Sequence, residues 1–150
     1  MAVFLVFCCC MLLGIPVMAE NLSDDFSVET DTDADYAEDT TYSVLRGNNL
    51  NLGNLSIKKL ASNKVIISGL TQCHHSCDIV YLNMYLERKV NGTYSTYKSW
   101  SFTKKNATNL VKDITVIVPS GYYYRVRGYH AAKDGNKEST TTLTKGILVK

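Results

Sequence analysis

Residues 79–103 read IVYLNMYLERKVNGTYSTYKSWSFT and carry the clearest structural signal in the chain. The alternate residues at its start are all apolar: Val80, Leu82, Met84 and Leu86. Such a period of two is typical of a strand with one buried face. Asn91 and Gly92 follow, and this pair accepts the positive φ angles of a two-residue turn. The stretch therefore predicts two antiparallel strands joined by a tight hairpin.

The same period continues along the chain, and no stretch has helical spacing. Seven strands are predicted, near Leu52–Leu60, Lys64–Leu70, Ile79–Lys89, Tyr94–Thr103, Leu110–Val118, Tyr122–His130 and Thr140–Val149. Turn-forming residues separate them at 61–63, 73–77, 91–92, 104–106, 119–121 and 133–136. Seven short strands in about 100 residues predict an all-β fold, an antiparallel immunoglobulin-like β-sandwich of about seven strands.

The charges are sorted by position. Residues 1–19 have no charged side chain, and residues 20–45 have nine acids and no base. All 16 Lys and Arg lie from Arg46 onward beside five acids, which gives residues 46–150 a net charge of +11. Three segments follow: 1–19, an acidic segment 20–45, and a basic β-sandwich domain 46–150.

Residues 1–19 have the features of a cleaved signal peptide. The run from Val3 to Met18 is almost wholly apolar, and Val17-Met18-Ala19 suits signal peptidase cleavage before Glu20. The alternative is a membrane anchor, but about 17 apolar residues lie at the low edge of what spans a bilayer. We therefore expect a secreted, extracellular protein with no stable membrane anchor after cleavage.

Residues 20–45 are rich in Asp, Glu, Thr and Ser, and their few apolar residues have no period. Such a composition predicts a disordered acidic linker, because it buries too little apolar surface to offset chain entropy. A second interpretation is a propeptide that shields the basic domain, with processing at Arg46-Gly47. A third is an ordered first strand around Tyr42–Leu45.

The strongest candidate for a chemical site is the motif Cys73-His74-His75-Ser76-Cys77. Outside the cell, two cysteines so close predict a disulfide between Cys73 and Cys77, which would stabilise by about 2 kcal/mol. Unpaired thiols are an alternative. A metal site with two thiolates and a histidine, closed by His130, is another, but adjacent histidines do not easily face one ion. No metal is therefore predicted.

The sequence predicts neither an enzyme nor a cofactor. It has no nucleophile elbow, no zinc-binding His-Glu-x-x-His helix and no phosphate-binding glycine loop. His130 and Asp134 could pair across a loop, but one such pair is more often structural than catalytic. No catalytic residue is proposed.

A binding face is the stronger expectation. Tyr81, Tyr85, Arg125, Arg127 and Tyr129 are candidate binding residues on the strand faces opposite the apolar set. Flat aromatic rings beside cations can stack on sugars and hold anionic groups. The structural alternative is that the tyrosines cover the sheet or form cross-strand ladders.

Two resemblances extend this interpretation. Gly121-Tyr-Tyr-Tyr-Arg-Val-Arg127 resembles the sixth strand of immunoglobulin-like and fibronectin type III domains, which implies that the hydroxyl of Tyr122 or Tyr124 bonds back to the preceding backbone. Residues 46–150 resemble a family of small secreted proteins of Gram-positive, clostridia-type bacteria, a domain of unknown function. The segments that carry this resemblance are residues 46–52, 94–100, 121–135 and 138–142. It implies bacterial export and no particular activity.

Two functional hypotheses follow. The first is an extracellular interaction module that binds cell-wall or host glycan or another anionic surface. The second is an antimicrobial or toxin-like protein masked by its acidic leader. Interleaved bases and aromatic rings also suit single-stranded nucleic acid, but export argues against such a partner.

Overall fold

A computed structural model describes residues 31–43 and 47–150. Within these residues every regular element is a strand, and no helix is long and apolar enough to cross a bilayer. The strands are β1 (Asp31–Thr32), β2 (Tyr36–Tyr42), β3 (Leu50–Ala61), β4 (Lys64–Val90), β5 (Thr93–Ile117), β6 (Tyr122–Asp134), β7 (Asn136–Leu143) and β8 (Gly146–Val149).

The described strands form one sheet centred on β4. Its order is β1-β8-β6-β4-β3-β2, while β5 pairs with β4 and β7 pairs with β6. All pairs are antiparallel except β1 with β8. The first part of β4 lies between β3 and β5, and its second part lies between β5 and β6. The long strand β4 thus connects the part of the sheet that contains β3 to the part that contains β6.

Two predicted turns are wrong because they are bends within long strands. Residues 73–77 continue β4, where the register with β5 shifts between Gln72 and Cys77. Residues 104–106 continue β5, and Asn106 has a φ of 46°. A bulge bends a strand without reversing it, so β4 changes neighbour from β3 to β6 across this segment.

The other predicted turns connect strands as expected. Asn91 and Gly92 have φ values of 50° and 81°, which are those of the predicted two-residue hairpin between β4 and β5. Gly135, with a φ of 68°, reverses the chain between β6 and β7. These turns fix the register of both hairpins.

The core lies on the inner face, as the alternation predicts. Val80, Leu82, Met84 and Leu86 of β4 have no exposed surface, and the same holds for Tyr124 and Val126 of β6. The Tyr124 hydroxyl donates a 2.8 Å hydrogen bond to the Pro119 carbonyl oxygen. The predicted bond from this strand to the preceding backbone is therefore present.

The all-β prediction is confirmed, but the immunoglobulin-like sandwich is not. The sheet is barrel-like and nearly closed, and side chains join its far strands. The Leu143 amide donates to Asp39 of β2, and Glu138 of β7 accepts hydrogen bonds from the start of β3. The difference arises because β4 and β5 pass continuously around the molecule where turns were expected.

The prediction of disorder is wrong for residues 31–42 of the acidic segment. β2 pairs with β3 over its whole length from Tyr36 to Tyr42, and β1 pairs with β8. Backbone pairing to an existing edge, rather than apolar burial, orders a sequence of this composition. The predicted signal peptide and the processing point at Arg46 lie outside the described residues.

Candidate binding face

The outer side of β4 and β6 brings the five predicted binding residues together. In the register of these strands, Tyr85 is opposite Arg127 and Tyr81 is opposite Ala131, two residues from Tyr129. All five side chains are half-buried. Lys89, Tyr94, Tyr123 and Lys137 adjoin them, and we call the nine residues the tyrosine–cation face: Tyr81, Tyr85, Lys89, Tyr94, Tyr123, Arg125, Arg127, Tyr129 and Lys137.

Cations of this face lie over its aromatic rings. The guanidinium carbon of Arg127 is 4.2 Å from the Tyr85 ring centre. The Lys137 ammonium lies 4.4 Å from the ring centre of Tyr81 and 5.4 Å from that of Tyr129. Such contacts contribute about 0.5–1 kcal/mol each at exposed sites. They hold the rings and charges in a fixed cross-strand arrangement.

Glu87 is the buried counter-ion of both arginines. The Nε atoms of Arg125 and Arg127 lie 2.7 and 3.0 Å from different oxygens of its carboxylate. The side chain of Glu87 is only 8% exposed, whereas that of Arg127 is 43% exposed. A guanidinium has five N–H donors, so the bond through Nε leaves the four Nη hydrogens of each arginine outside this ion pair.

Asp31 of β1 closes one end of the face. Its carboxylate accepts a hydrogen bond from the Tyr94 hydroxyl and a 2.5 Å bond from the Lys89 ammonium. The guanidinium carbon of Arg125 lies 3.9 Å from the centre of the Tyr94 ring. Burial, and then the bond with Asp31, raise the pKa of Tyr94. The Tyr94 hydroxyl therefore stays protonated and acts as a donor.

The contacts of the tyrosines agree in part with the alternative that they form cross-strand ladders on the sheet. The tyrosines do form cross-strand contacts, as a ladder predicts, but their partners are cations rather than other rings. Tyr97 and Trp100 of β5 pack against the core. Each tyrosine of the predicted set keeps exposed surface, so the face can still contact a ligand.

The five predicted residues leave out the other four members of this face, Lys89, Tyr94, Tyr123 and Lys137, and its two acidic partners, Asp31 and Glu87. Alternation already placed Glu87 on the outer face, and the Gly135 turn could have placed Lys137 beside β6. Asp31 had no comparable signal, because a two-residue strand has no periodicity.

The predicted disulfide is absent, since Cys73 and Cys77 are unbonded, buried thiols. Burial, and then the neighbouring Cys77 thiol, raise the pKa of Cys73 to about 12. The thiolate is the form that attacks disulfides and binds metals, so this environment opposes both reactions. The described residues contain no cluster of three His, Cys, Asp or Glu that could hold a metal ion.

His130 does not pair with Asp134, which instead lies 2.9 Å from His75. The His130 ring is fully buried, with Nδ1 2.9 Å from the Thr71 hydroxyl and Nε2 2.8 Å from the Thr142 hydroxyl. Because Thr71 donates its hydrogen to a backbone carbonyl, it accepts one from Nδ1. Burial lowers the pKa of His130 to about 4, so the ring is a neutral core residue.

Comparison with known proteins gives a family but no activity. No curated protein sequence matches the chain. Two solved structures match: the sporulation control protein Spo0M of Bacillus subtilis, at 12% identity and a TM-score of 0.39, and chicken MD-1 complexed with lipid IVa, at 14% and 0.28. The alignments cover 78% and 70% of this chain.

They also cover 51% of the Spo0M chain and 94% of the MD-1 chain, so this chain spans about half the length of Spo0M. A family model described as a family of unknown function, DUF6147, matches residues 23–146. That range begins inside the acidic segment and includes the face and every described strand up to the start of β8. The expected resemblance to a domain of unknown function is thus confirmed, and the chain belongs to the DUF6147 family.

Proposed function

We propose that this protein is a secreted, non-enzymatic interaction module that binds an extracellular anionic or glycan polymer through the tyrosine–cation face. The observation that supports the proposal is the placement of Tyr81, Tyr85, Arg125, Arg127 and Tyr129 on one half-exposed outer face. A bacterial cell wall or a host glycan would be the natural partner of an exported protein.

The charge of the face favours an anionic or polar ligand. The face has four cations, Lys89, Arg125, Arg127 and Lys137, against two carboxylates, those of Glu87 and Asp31, and Lys137 pairs with neither carboxylate. Half-exposed tyrosine rings offer flat apolar surface for sugar rings, while the arginine Nη groups offer donors for hydroxyl or acidic groups. The combination suits a ligand that has both.

The spacing of the face favours an extended ligand. Tyr81 and Tyr85 lie four residues apart on one strand, a separation of about 13 Å. Tyr129 and Arg127 lie on the neighbouring strand, about 5 Å to the side. A polymer that runs along β4 would contact several of these groups at once, and weak contacts would add to a measurable affinity.

The test is binding to a panel of acidic and neutral polysaccharides over a range of salt concentrations. Tyr129→Ala and Arg127→Ala should each weaken binding about fivefold to tenfold, since each removes a contact of about 1 kcal/mol. Tyr42→Ala is the matched tyrosine control, because that ring is 64% exposed on β2, away from the face.

Lys112→Ala is the matched control for charge. The Lys112 ammonium lies 5.2 Å from the Phe102 ring centre on β5. Lys112→Ala therefore removes one positive charge and one cation–ring contact, as Arg127→Ala does. Binding that disappears with salt and falls equally in all four variants would reduce the interaction to general charge attraction and overturn the proposal.

A second candidate function is a membrane-active or antimicrobial protein held inactive by its acidic leader. The ion pairs of Asp31 with Lys89 and of Asp35 with Lys59 support it, because they join acidic residues to basic ones. Cleavage near Arg46 should then raise cell-killing activity. Equal activity before and after cleavage would contradict it, and loss of folding would show that β2 is an integral strand.

A further inference from the structure

The carboxylate of Asp31 occupies a position that is built to hold an anion. One oxygen accepts from the Tyr94 hydroxyl and the other from the Lys89 ammonium, while Arg125 lies against the same Tyr94 ring. Lys89 also lies 5.8 Å from the centre of the Tyr123 ring. Two donors on separate oxygens, with a further cation nearby, are the arrangement by which proteins recognise a carboxylate.

The surrounding backbone is shaped for this contact. Gly146 of β8 is paired with Asp31, and a Cβ atom at residue 146 would overlap the Tyr94 hydroxyl. A glycine here allows Tyr94 to reach the carboxylate. The site therefore consists of side chains from β4 and β5 and backbone from β8, and β1 supplies only the anion.

The strand that supplies the anion is held weakly. Within residues 31–43 and 47–150, β1 has two residues, and it pairs with β8 at Asp31 and Thr32. Short parallel pairings have few hydrogen bonds, so the side-chain bonds of Asp31 are a large part of what keeps β1 in place. The side chain of Asp31 is 23% exposed, which leaves a path for solvent and for a competing group.

We propose that Asp31 is an internal substitute for a carboxylate of an acidic polysaccharide, and that such a ligand displaces Asp31 to bind Lys89 and Tyr94. This inference rests on the proposed function and specifies it, because it places a carboxylate subsite at one end of the tyrosine–cation face. The ligand would compete with a tethered carboxylate, so removal of that carboxylate strengthens binding.

The experiment compares Asp31→Ala with Asp33→Ala in the full-length chain, using polygalacturonate as the acidic polymer. The two variants lose the same charge two residues apart, but Asp33 is exposed and has no hydrogen bond or ion pair within the described residues. Asp31→Ala should raise the affinity at least about tenfold more than Asp33→Ala, the effect of one freed charge-assisted hydrogen bond. Equal increases, or no binding by Asp31→Ala, would overturn the inference.

Two further measurements identify the site. Tyr94→Phe added to Asp31→Ala should reduce the gain for polygalacturonate, because it removes one of the two freed donors, whereas dextran sulfate, which carries charge without carboxylates, should not distinguish Asp31→Ala from Asp33→Ala. A gain confined to dextran sulfate would overturn the assignment to carboxylates. If Arg127→Ala still weakens binding while Asp31→Ala and Asp33→Ala bind polygalacturonate with equal affinity, only this inference fails. If Arg127→Ala does not change the affinity, the proposed function fails.

A measurement on the unaltered protein covers the case in which Asp31→Ala does not fold. Displacement of Asp31 would separate β1 from β8, so polygalacturonate should accelerate hydrogen exchange of the backbone amides of residues 31–32 and 146–147. Unchanged or slower exchange at these amides would contradict displacement.

Discussion

Glu87 and Arg125 face each other across β4 and β6, with the Arg125 Nε atom 2.7 Å from a Glu87 carboxylate oxygen. The second oxygen bonds Arg127, so one buried carboxylate holds two guanidinium groups that would otherwise repel each other. The tyrosine–cation face therefore depends on an acid beneath it for its geometry.

Glu87→Gln should destabilise the fold by about 2–3 kcal/mol, because a neutral amide leaves two adjacent arginines without their counter-charge. Chemical denaturation measures the change in the free energy of unfolding. Asp113→Asn is the matched control, since Asp113 is exposed on β5, and it should change stability by less than about 0.5 kcal/mol. Similar losses in the two variants would show that Glu87 acts only through net charge.

His130 should make the fold sensitive to mild acid. Its pKa is about 4 in the folded protein, below the ordinary value of 6.5, so the unfolded chain binds more protons between these values. The stability that the neutral His130 ring contributes is complete above pH 6.5 and is lost as the pH falls toward 4. The total loss is about 3 kcal/mol.

Urea denaturation at pH 7, 6 and 5 measures this slope above the range in which carboxyl groups titrate. His74→Asn should keep the slope, because His74 is exposed, and replacement of His130 by Leu should remove it. A free energy of unfolding that stays constant from pH 7 to pH 5 in the unaltered protein would contradict the prediction.

The fold follows from the sequence wherever the signal is local. The alternation at residues 80–86 fixes the buried face of β4, and Asn91-Gly92 fixes the hairpin. The continuity of β4 through Cys73–Cys77 could not be predicted, because polar residues that favour a turn also suit a bulge. Closure of the sheet depends on which distant edges meet, and no single segment encodes that.

The candidate site also has a part that local sequence predicts and a part that depends on long-range pairing. Alternation places Tyr81, Tyr85, Arg125, Arg127 and Tyr129 on outer faces, because parity along a strand is a local property. The ion pairs of Glu87 need the register between β4 and β6, and the contacts of Asp31 need the pairing of β1 with β8. Both registers are long-range properties of the folded chain.

Glu138 should act as an anchor for the start of β3. Its carboxylate accepts hydrogen bonds from the backbone amides of Asn48, Asn49 and Leu50 at 2.8–3.0 Å. Burial alone would raise the pKa of Glu138, but the three backbone bonds outweigh it and hold the pKa below its usual value. Glu138→Gln should cost about 2 kcal/mol, because charge-assisted bonds become neutral ones.

Hydrogen exchange at residues 48–50 tests the anchor directly, since these amides should exchange faster in Glu138→Gln. Gly47→Ala should have a similar effect, because a Cβ atom at residue 47 would overlap the Glu138 carboxylate. Asp78→Asn is the control for charge, as Asp78 is exposed on β4. Unchanged exchange at residues 48–50 in both test variants would show that other contacts hold this segment.

The thiols of Cys73 and Cys77 should react slowly in the folded protein. Both are buried, and a Cys73 pKa of about 12 leaves almost no thiolate at pH 8. Alkylation by iodoacetamide, followed by mass analysis of the peptide that contains both residues, should be fast only in urea. Ser76→Cys supplies an exposed thiol on the same bulge and should react at once. Rapid labelling of Cys73 in the native protein would contradict its burial, and a peptide two hydrogens lighter would show a disulfide instead of two thiols.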